Sequence, residues 1–221
     1  MKYIFKLFSF VFLCNSPLIA QVQKDAVFWG TIGFDKKINE TFSIQSLSQW
    51  SFNQNIRELN SAFIDVGLSA RVSKAWTLGV NYRFAEWRNL DNIYMPINRI
   101  YFDAASLKSF NHQILQYRFR CQNQIYDLTI FDPYKNEKLI IRNKLYYKWN
   151  LDRKYALFCS FEHFFRLNQM YRTQTTRTEV GFTLKQDLHN RINFYFINQM
   201  TYFTKYPRVD FIYGITYNYK F

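Results

Sequence analysis

Apolar and polar residues alternate with a period of two along most of this chain. The clearest run is Val209 to Phe221. Val209, Phe211, Tyr213, Ile215, Tyr217, Tyr219 and Phe221 share one face, while Asp210, Gly214, Thr216, Asn218 and Lys220 share the other, with Ile212 alone out of character. The same alternation, broken by turn residues, predicts eleven strands over 26–37, 41–54, 60–72, 75–88, 98–108, 111–125, 138–150, 154–166, 175–186, 190–202 and 209–221, and no amphipathic helix. Short turns are expected at Lys37 to Glu40, Ser73 to Lys74, Lys108 to Asn111, Leu151 to Arg153 and Asp187 to His189. Longer links fall between them at Asn55 to Asn60, Asn89 to Ile97, Tyr126 to Glu137, Leu167 to Gln174 and Phe203 to Arg208. Short turns on one rim and longer loops on the other are the asymmetry of an outer-membrane barrel, with the short side periplasmic. The fold class is therefore all-β, an antiparallel transmembrane β-barrel of ten to twelve strands. The range comes from parity, because single-chain bacterial barrels have an even number of strands. Either Gln21 to Asp25 adds a short strand, or the first segment is partly non-strand and the barrel has ten.

The first twenty residues change the picture. Lys2 and Lys6, an apolar run from Leu7 to Leu13, then Pro17 and the small Ala20 have the layout of a secretory signal peptide, too short for a spanning helix. Leu18 is larger than such cleavage sites prefer, and Leu13 stands before Cys14 where a lipid-attachment site needs a small residue. Residues 1–20 are thus read as a signal peptide and 21–221 as one barrel domain. Beyond the signal no stretch reaches the roughly 20 apolar residues of a membrane helix, and the mean hydropathy of -0.30 would suit a soluble protein. Strands conceal hydrophobicity in this way, since half of each can face water. The aromatic share of 21% needs a place, and interfacial girdles supply one. Trp76 and Trp149 lie beside short turns, and Trp29, Trp50 and Trp87 lie toward the opposite strand ends, with none at mid-strand.

The order FWGTIGFDKKIN, WTLGVNYRF, NRIYFDAA with QYRFRCQ, and INFYFINQM resembles an uncharacterised outer-membrane β-barrel family of Gram-negative bacteria, known only as a domain of unknown function. Tyr213, Ile215, Tyr217, Tyr219 and the terminal Phe221 also resemble the carboxy-terminal signal by which the barrel-assembly machinery recognises its clients. The resemblance implies a fold and an outer-membrane location after signal cleavage. It implies no activity and no functional residues.

Charge narrows the partners. Without Lys2 and Lys6, 27 of the 29 basic residues remain against 16 acidic ones, a formal charge of +11. A basic exported chain without a basic cluster or recognition helix points to anionic outer-membrane lipid rather than nucleic acid. If the aromatic faces meet lipid, the lumen receives Asp65, Arg71, Arg83, Arg99, Asp103, Arg118, Arg120, Arg142, Lys144, Lys148, Glu162, Glu179, Lys185, Asp210 and Lys220, ten basic to five acidic. These groups either pair across strands as a hydrated plug or line a porin-like path that prefers anions, with Arg118, Arg120, Arg142 and Lys144 on neighbouring strands. The expected function is a structural or pore-type barrel.

Two alternatives come from other classes. A lipid-modifying acyl hydrolase would need a nucleophile beside a base, but Ser160 and Glu162 fall on one face and His163 on the other. His112 and His189 fall at the foot of a strand and in a short turn. A lipocalin-like exported carrier would reverse the faces, with apolar residues inward. Cys121 and Cys159 sit on aromatic-rich faces with a strand between theirs, too far apart for a disulfide. With three histidines and no ligand spacing, no metal site is expected, and no phosphate loop exists among six glycines, so no cofactor is expected. Asp132, Pro133, Tyr134 and Lys135 in the longest loop, with Tyr206 and Pro207 in the last, leave room for a ligand of unknown kind.

Overall fold

A computed structural model describes residues 22–89, 91–125, 137–167, 174–203 and 207–221. The alternating segments form β1 (Gln23–Lys37), β2 (Phe42–Asn53), β3 (Glu58–Arg71), β4 (Trp76–Arg88), β5 (Tyr94–Phe110), β6 (Gln113–Ile125), β7 (Glu137–Asn150), β8 (Tyr155–Arg166), β9 (Gln174–Lys185), β10 (Asn190–Tyr202) and β11 (Arg208–Lys220). These eleven strands close into one barrel in chain order. Gln23 to Asp25 begins β1 and is no separate strand. The fifth strand starts earlier than its alternation predicted, running from Tyr94 through Pro96, where Pro96 lies opposite Glu86.

The odd count has a direct consequence at the closure. Successive strands are antiparallel, so the first and eleventh point the same way, and β1 pairs with β11 in parallel from Gln23↔Arg208 to Asp35↔Lys220. The even number expected of such barrels is not needed once one parallel seam is accepted. Both faces still match across it, because Val27 meets Ile212 and Thr31 meets Thr216.

Register fixes the tilt. A row of paired residues leaves β1 at Gln23, passes Arg208, Arg142 and Asp103, and returns to β1 at Lys37, a stagger of 14 residues. A stagger larger than the strand number inclines the strands by about 40° to the barrel axis. The single register shift lies at Ser51/Phe52 opposite Leu59.

Four of the turns on one rim share a device. The second turn residue, Asn39, Ser73, Asp152 or Asp187, accepts both the next-but-one and the following backbone N–H, as Asp187 does from His189 and Asn190 at 2.7 Å each. Such side chains substitute for a backbone turn bond. These bonds, with a third from the Asn190 amide, hold the exposed Asp187 carboxyl below the ordinary aspartate value. The fifth link on this rim has only Asn111 and His112, with Asn111 in the left-handed region at φ 51°. On the other rim the link 54–57 is as short as these turns, in place of the longer one expected at Asn55 to Asn60, because β3 begins at Glu58; the remaining links are longer, among them residues 126–136, which lie outside the described residues.

Side chains segregate by face. Ile64, Val66 and Leu68 on β3, Val80 and Phe84 on β4, and Ile100 and Phe102 on β5 are exposed outward. Inward, Val27, Ile197 and Ile212 form a small buried cluster against Trp29 and Tyr195 beside the parallel seam. The rest of the interior mixes buried charged and polar groups, among them Asp65, Arg120, Gln122, Arg142, Glu162 and Thr183, with Ala85, Ile97, Tyr101 and Phe158.

Candidate functional site

The inward faces enclose a cavity of about 1250 Å³. Of the fifteen charged residues expected to face inward, Asp65, Arg83, Arg99, Asp103, Arg118, Arg120, Arg142, Lys144, Glu162, Glu179 and Asp210 line it. Arg71, Lys148, Lys185 and Lys220 share the inward parity of their strands but stand at the ends nearest the short turns, outside the cavity lining. Lys37 and Arg191 have the same parity and height, so the short-turn mouth carries a basic ring.

The cavity wall is not uniform. On β1 to β4 many lining groups are small or neutral, such as Thr31, Gly33, Gln49, Ser51, Ser69 and Gly79, with Asp65, Arg83 and the rings of Trp29, Phe63 and Trp87 among them. On β5 to β9 it is built from arginines, carboxylates and rings. Arg120 grips Asp103 through two bonds of 2.6 and 2.7 Å, the bidentate fork that suits a carboxylate. Arg118 and Arg142 both reach Oε1 of Glu162, at 2.7 and 2.9 Å. Lys144 bonds Glu179 at 2.8 Å, and Ser160 donates to the same carboxylate oxygen at 2.6 Å. Arg83 pairs with Asp65 at 2.6 Å, and the Tyr101 hydroxyl donates to that same Asp65 oxygen. Aromatic faces carry the guanidiniums from the other side. Arg83 lies 3.7 Å from the Phe63 ring centre, Arg120 3.7 Å from Tyr101, and Arg142 4.3 Å from Phe164.

These pairs link strands that are neighbours or next neighbours, so they bind the wall together while partly neutralising it. Among the described residues the cavity is lined by nine basic side chains and six acidic ones. The surplus positive charge is therefore a property of the cavity itself.

Several of these residues were not singled out by the sequence reading. Arg177 on β9 lines the cavity two residues before Glu179, a position that plain alternation marks as inward. Its Nε donates to Gln199 at 2.5 Å, and its guanidinium lies 4.6 Å from the Phe164 ring centre and 5.1 Å from that of Trp29. Lys138 and Asp35 also line the cavity. Arg208 bridges Asp25 at 2.9 Å and Asp210 beside it, while Asp25 accepts the backbone N–H groups of Gln54 and Asn55. Arg208 and Asp25 fall just beyond the strand ends read from alternation, and so escaped notice.

The tryptophans divide between the faces. Trp50, Trp76 and Trp149 are exposed on the outward face, whereas Trp29 and Trp87 have inward parity and line the cavity. On β11, Tyr213 and Ile215 are exposed outward, in line with Tyr217 and Tyr219. Phe221 packs edge-on against Tyr219 at 4.8 Å and against Phe34 of β1 at 6.5 Å. Ser160 and Glu162 face inward as their parity predicts, and His163 on the opposite face contacts Gln174 at 3.1 Å. Cys121 and Cys159 are free thiols on β6 and β8, with β7 between them. Among the described residues no His, Cys, Asp and Glu group has a metal-binding arrangement. Residues 1–20, Asp132, Pro133, Tyr134, Lys135 and Tyr206 lie outside the described residues.

A family model described as a protein of unknown function (DUF2490) matches residues 26–210, so the chain belongs to that family. No curated protein and no solved structure matches the chain.

Proposed function

From this membership in a family without an assigned activity, we propose that the protein is a pore-type β-barrel of a Gram-negative outer membrane, with a basic interior that favours small anions. Residues 1–20 would direct its export, and anionic lipid and the barrel-assembly machinery would be its partners. The observation that carries the reading is the division of faces. Apolar side chains are exposed outward on successive strands, while the charged groups turn inward, nine basic and six acidic side chains lining the interior among rings and polar groups. A soluble carrier of the lipocalin kind has the opposite arrangement. The basic ring at the short-turn mouth adds to the anion preference, because like charges around an opening raise the local concentration of opposite ions.

The acyl-hydrolase alternative has less support. Ser160 has a carboxylate neighbour in Glu179, but Lys144 shares that carboxylate, and His163 is on the other face.

Single-channel conductance of the refolded protein in a planar bilayer tests the proposal. Anion-selective steps are expected, with selectivity reduced in an Arg118→Glu, Arg142→Glu double variant and in Arg191→Glu at the mouth. Cation preference, or a folded barrel without conductance, would overturn it.

A further inference from the structure

We propose that Arg118, Arg142 and Arg177 form a binding site inside the barrel for a doubly charged oxyanion of the phosphate class. The inference deepens the pore reading by naming a ligand, and its site stands on geometry within the described wall. Glu162 is the centre of the arrangement. Arg118 and Arg142 both bond its Oε1, and Arg177 is its direct cross-strand partner on β9. With the Lys144 and Glu179 pair beside them, four cations against two carboxylates leave two positive charges uncompensated.

The hydrogen-bonding capacity of these arginines is also incomplete. A guanidinium has five donors in a fixed fork. Arg177 uses its Nε on Gln199, and its two terminal nitrogens donate to no group among the described residues. Arg118 has a buried Nε without a partner. Neither Arg118 nor Arg142 takes Glu162 in a two-oxygen fork, since both converge on one oxygen. All four residues line the cavity, with the Arg118 Nε itself buried behind its surface.

Spacing suits a bridging oxyanion. The guanidinium carbons of Arg142 and Arg177 are 4.3 and 4.6 Å from the centre of the Phe164 ring, and so lie within about 9 Å of each other. An oxyanion bonded by both forks therefore lies on the side of them away from the Phe164 ring, which needs the two carbons closer together than the ~8 Å of a linear bridge. Phe164 and Trp29 hold the Arg177 fork without consuming its hydrogen bonds. Arginine forks match tetrahedral oxyanions better than they match a spherical halide. A phosphate dianion supplies the missing charge and the missing acceptors together.

Calorimetric titration of the folded barrel in neutral detergent, at constant sodium chloride, is the test, with inorganic phosphate as probe. Saturable binding is expected, weakened about tenfold or more in Arg177→Gln and in Arg118→Gln, and only partly restored in Arg177→Lys, which lacks the fork. Lys108→Gln, on the outer face, should bind as the parent does. Heat-dependent gel mobility identifies folded variants, so either arginine variant suffices. No saturable heat up to roughly 10 mM phosphate, or equal affinity in folded variants, would overturn the site. Titration with glycerol phosphate separates a free ion from a small phosphate ester. Chloride conductance is measured independently, so a conducting barrel that ignores phosphate refutes this site alone, and a silent barrel that binds phosphate refutes the pore alone.

Discussion

Two rings in the interior lie over glycines on the adjacent strand, Phe158 over Gly181 and Tyr195 over Gly214. Each glycine stands directly opposite its ring in the register, so the missing side chain is the space the ring occupies. A Cβ at Gly181 would meet the Phe158 ring and lie 2.7 Å from the Phe194 carbonyl oxygen, whereas one at Gly30 would meet nothing closer than 3.7 Å. Gly181→Ala should therefore lower stability by about 1–3 kcal/mol, with Gly30→Ala close to neutral. Urea midpoints of the refolded barrel decide this, and equal midpoints would refute the packing account. At this scale the sequence was informative about face and less so about partners. Alternation placed eleven of the fifteen charged residues on the cavity wall, because parity is a local property. Trp29 and Trp87 show the other side of the same rule. A position near a strand end sets height, but parity decides whether a ring points in or out. Arg177 was equally readable by parity. Its role depends on Glu162, Phe164 and Trp29, which only the closed barrel brings to it.

Strands were the most legible elements. Eleven segments were read from alternation, with a barrel of ten to twelve strands expected, and eleven strands formed with boundaries displaced by a few residues. The largest displacement is at β5, where Pro96 interrupts the alternation near the rim although the backbone still pairs with Glu86. Pairing direction at the closure follows from whether the strand count is odd or even, and it was not legible because alternation left that count between ten and twelve. The parallel seam can be examined directly. With Cys121 and Cys159 replaced by serine, cysteines at Ala26 and Phe211, which face each other in the parallel register, should cross-link under mild oxidation. Cysteines at Ala26 and Ile215, four residues out of register, should not. Cross-linking only of the second pair would exclude the observed register.

For the whole molecule the decisive property is inversion, with apolar groups outside and charges within. On the proposed membrane reading, Ile215→Arg on the outer face should impair assembly far more than Thr216→Arg on the inner one, since an arginine at the midplane of a lipid-facing surface costs about 2–4 kcal/mol. Recovery of folded barrel from membranes reads the difference, and equal recovery would contradict the assignment of faces. The distribution of charge around the interior belongs to this scale too. Arginines and carboxylates concentrate on β5 to β9 and small polar groups on β1 to β4 at one height only because a stagger of 14 residues brings distant strand positions level. No single segment of sequence contains that relation, which is why the paired arginine layer was foreseen as a choice between plug and path and not as an arrangement.

Barrels grow and shrink most simply by whole hairpins, which change the number of strands by two. Such steps preserve oddness. A lineage that begins with two terminal strands side by side and pointing the same way keeps that seam through every hairpin gained or lost. Only a single-strand change can remove it, so the direction of this one pairing is set by parity alone, independently of the length, loops or lining residues of the barrel.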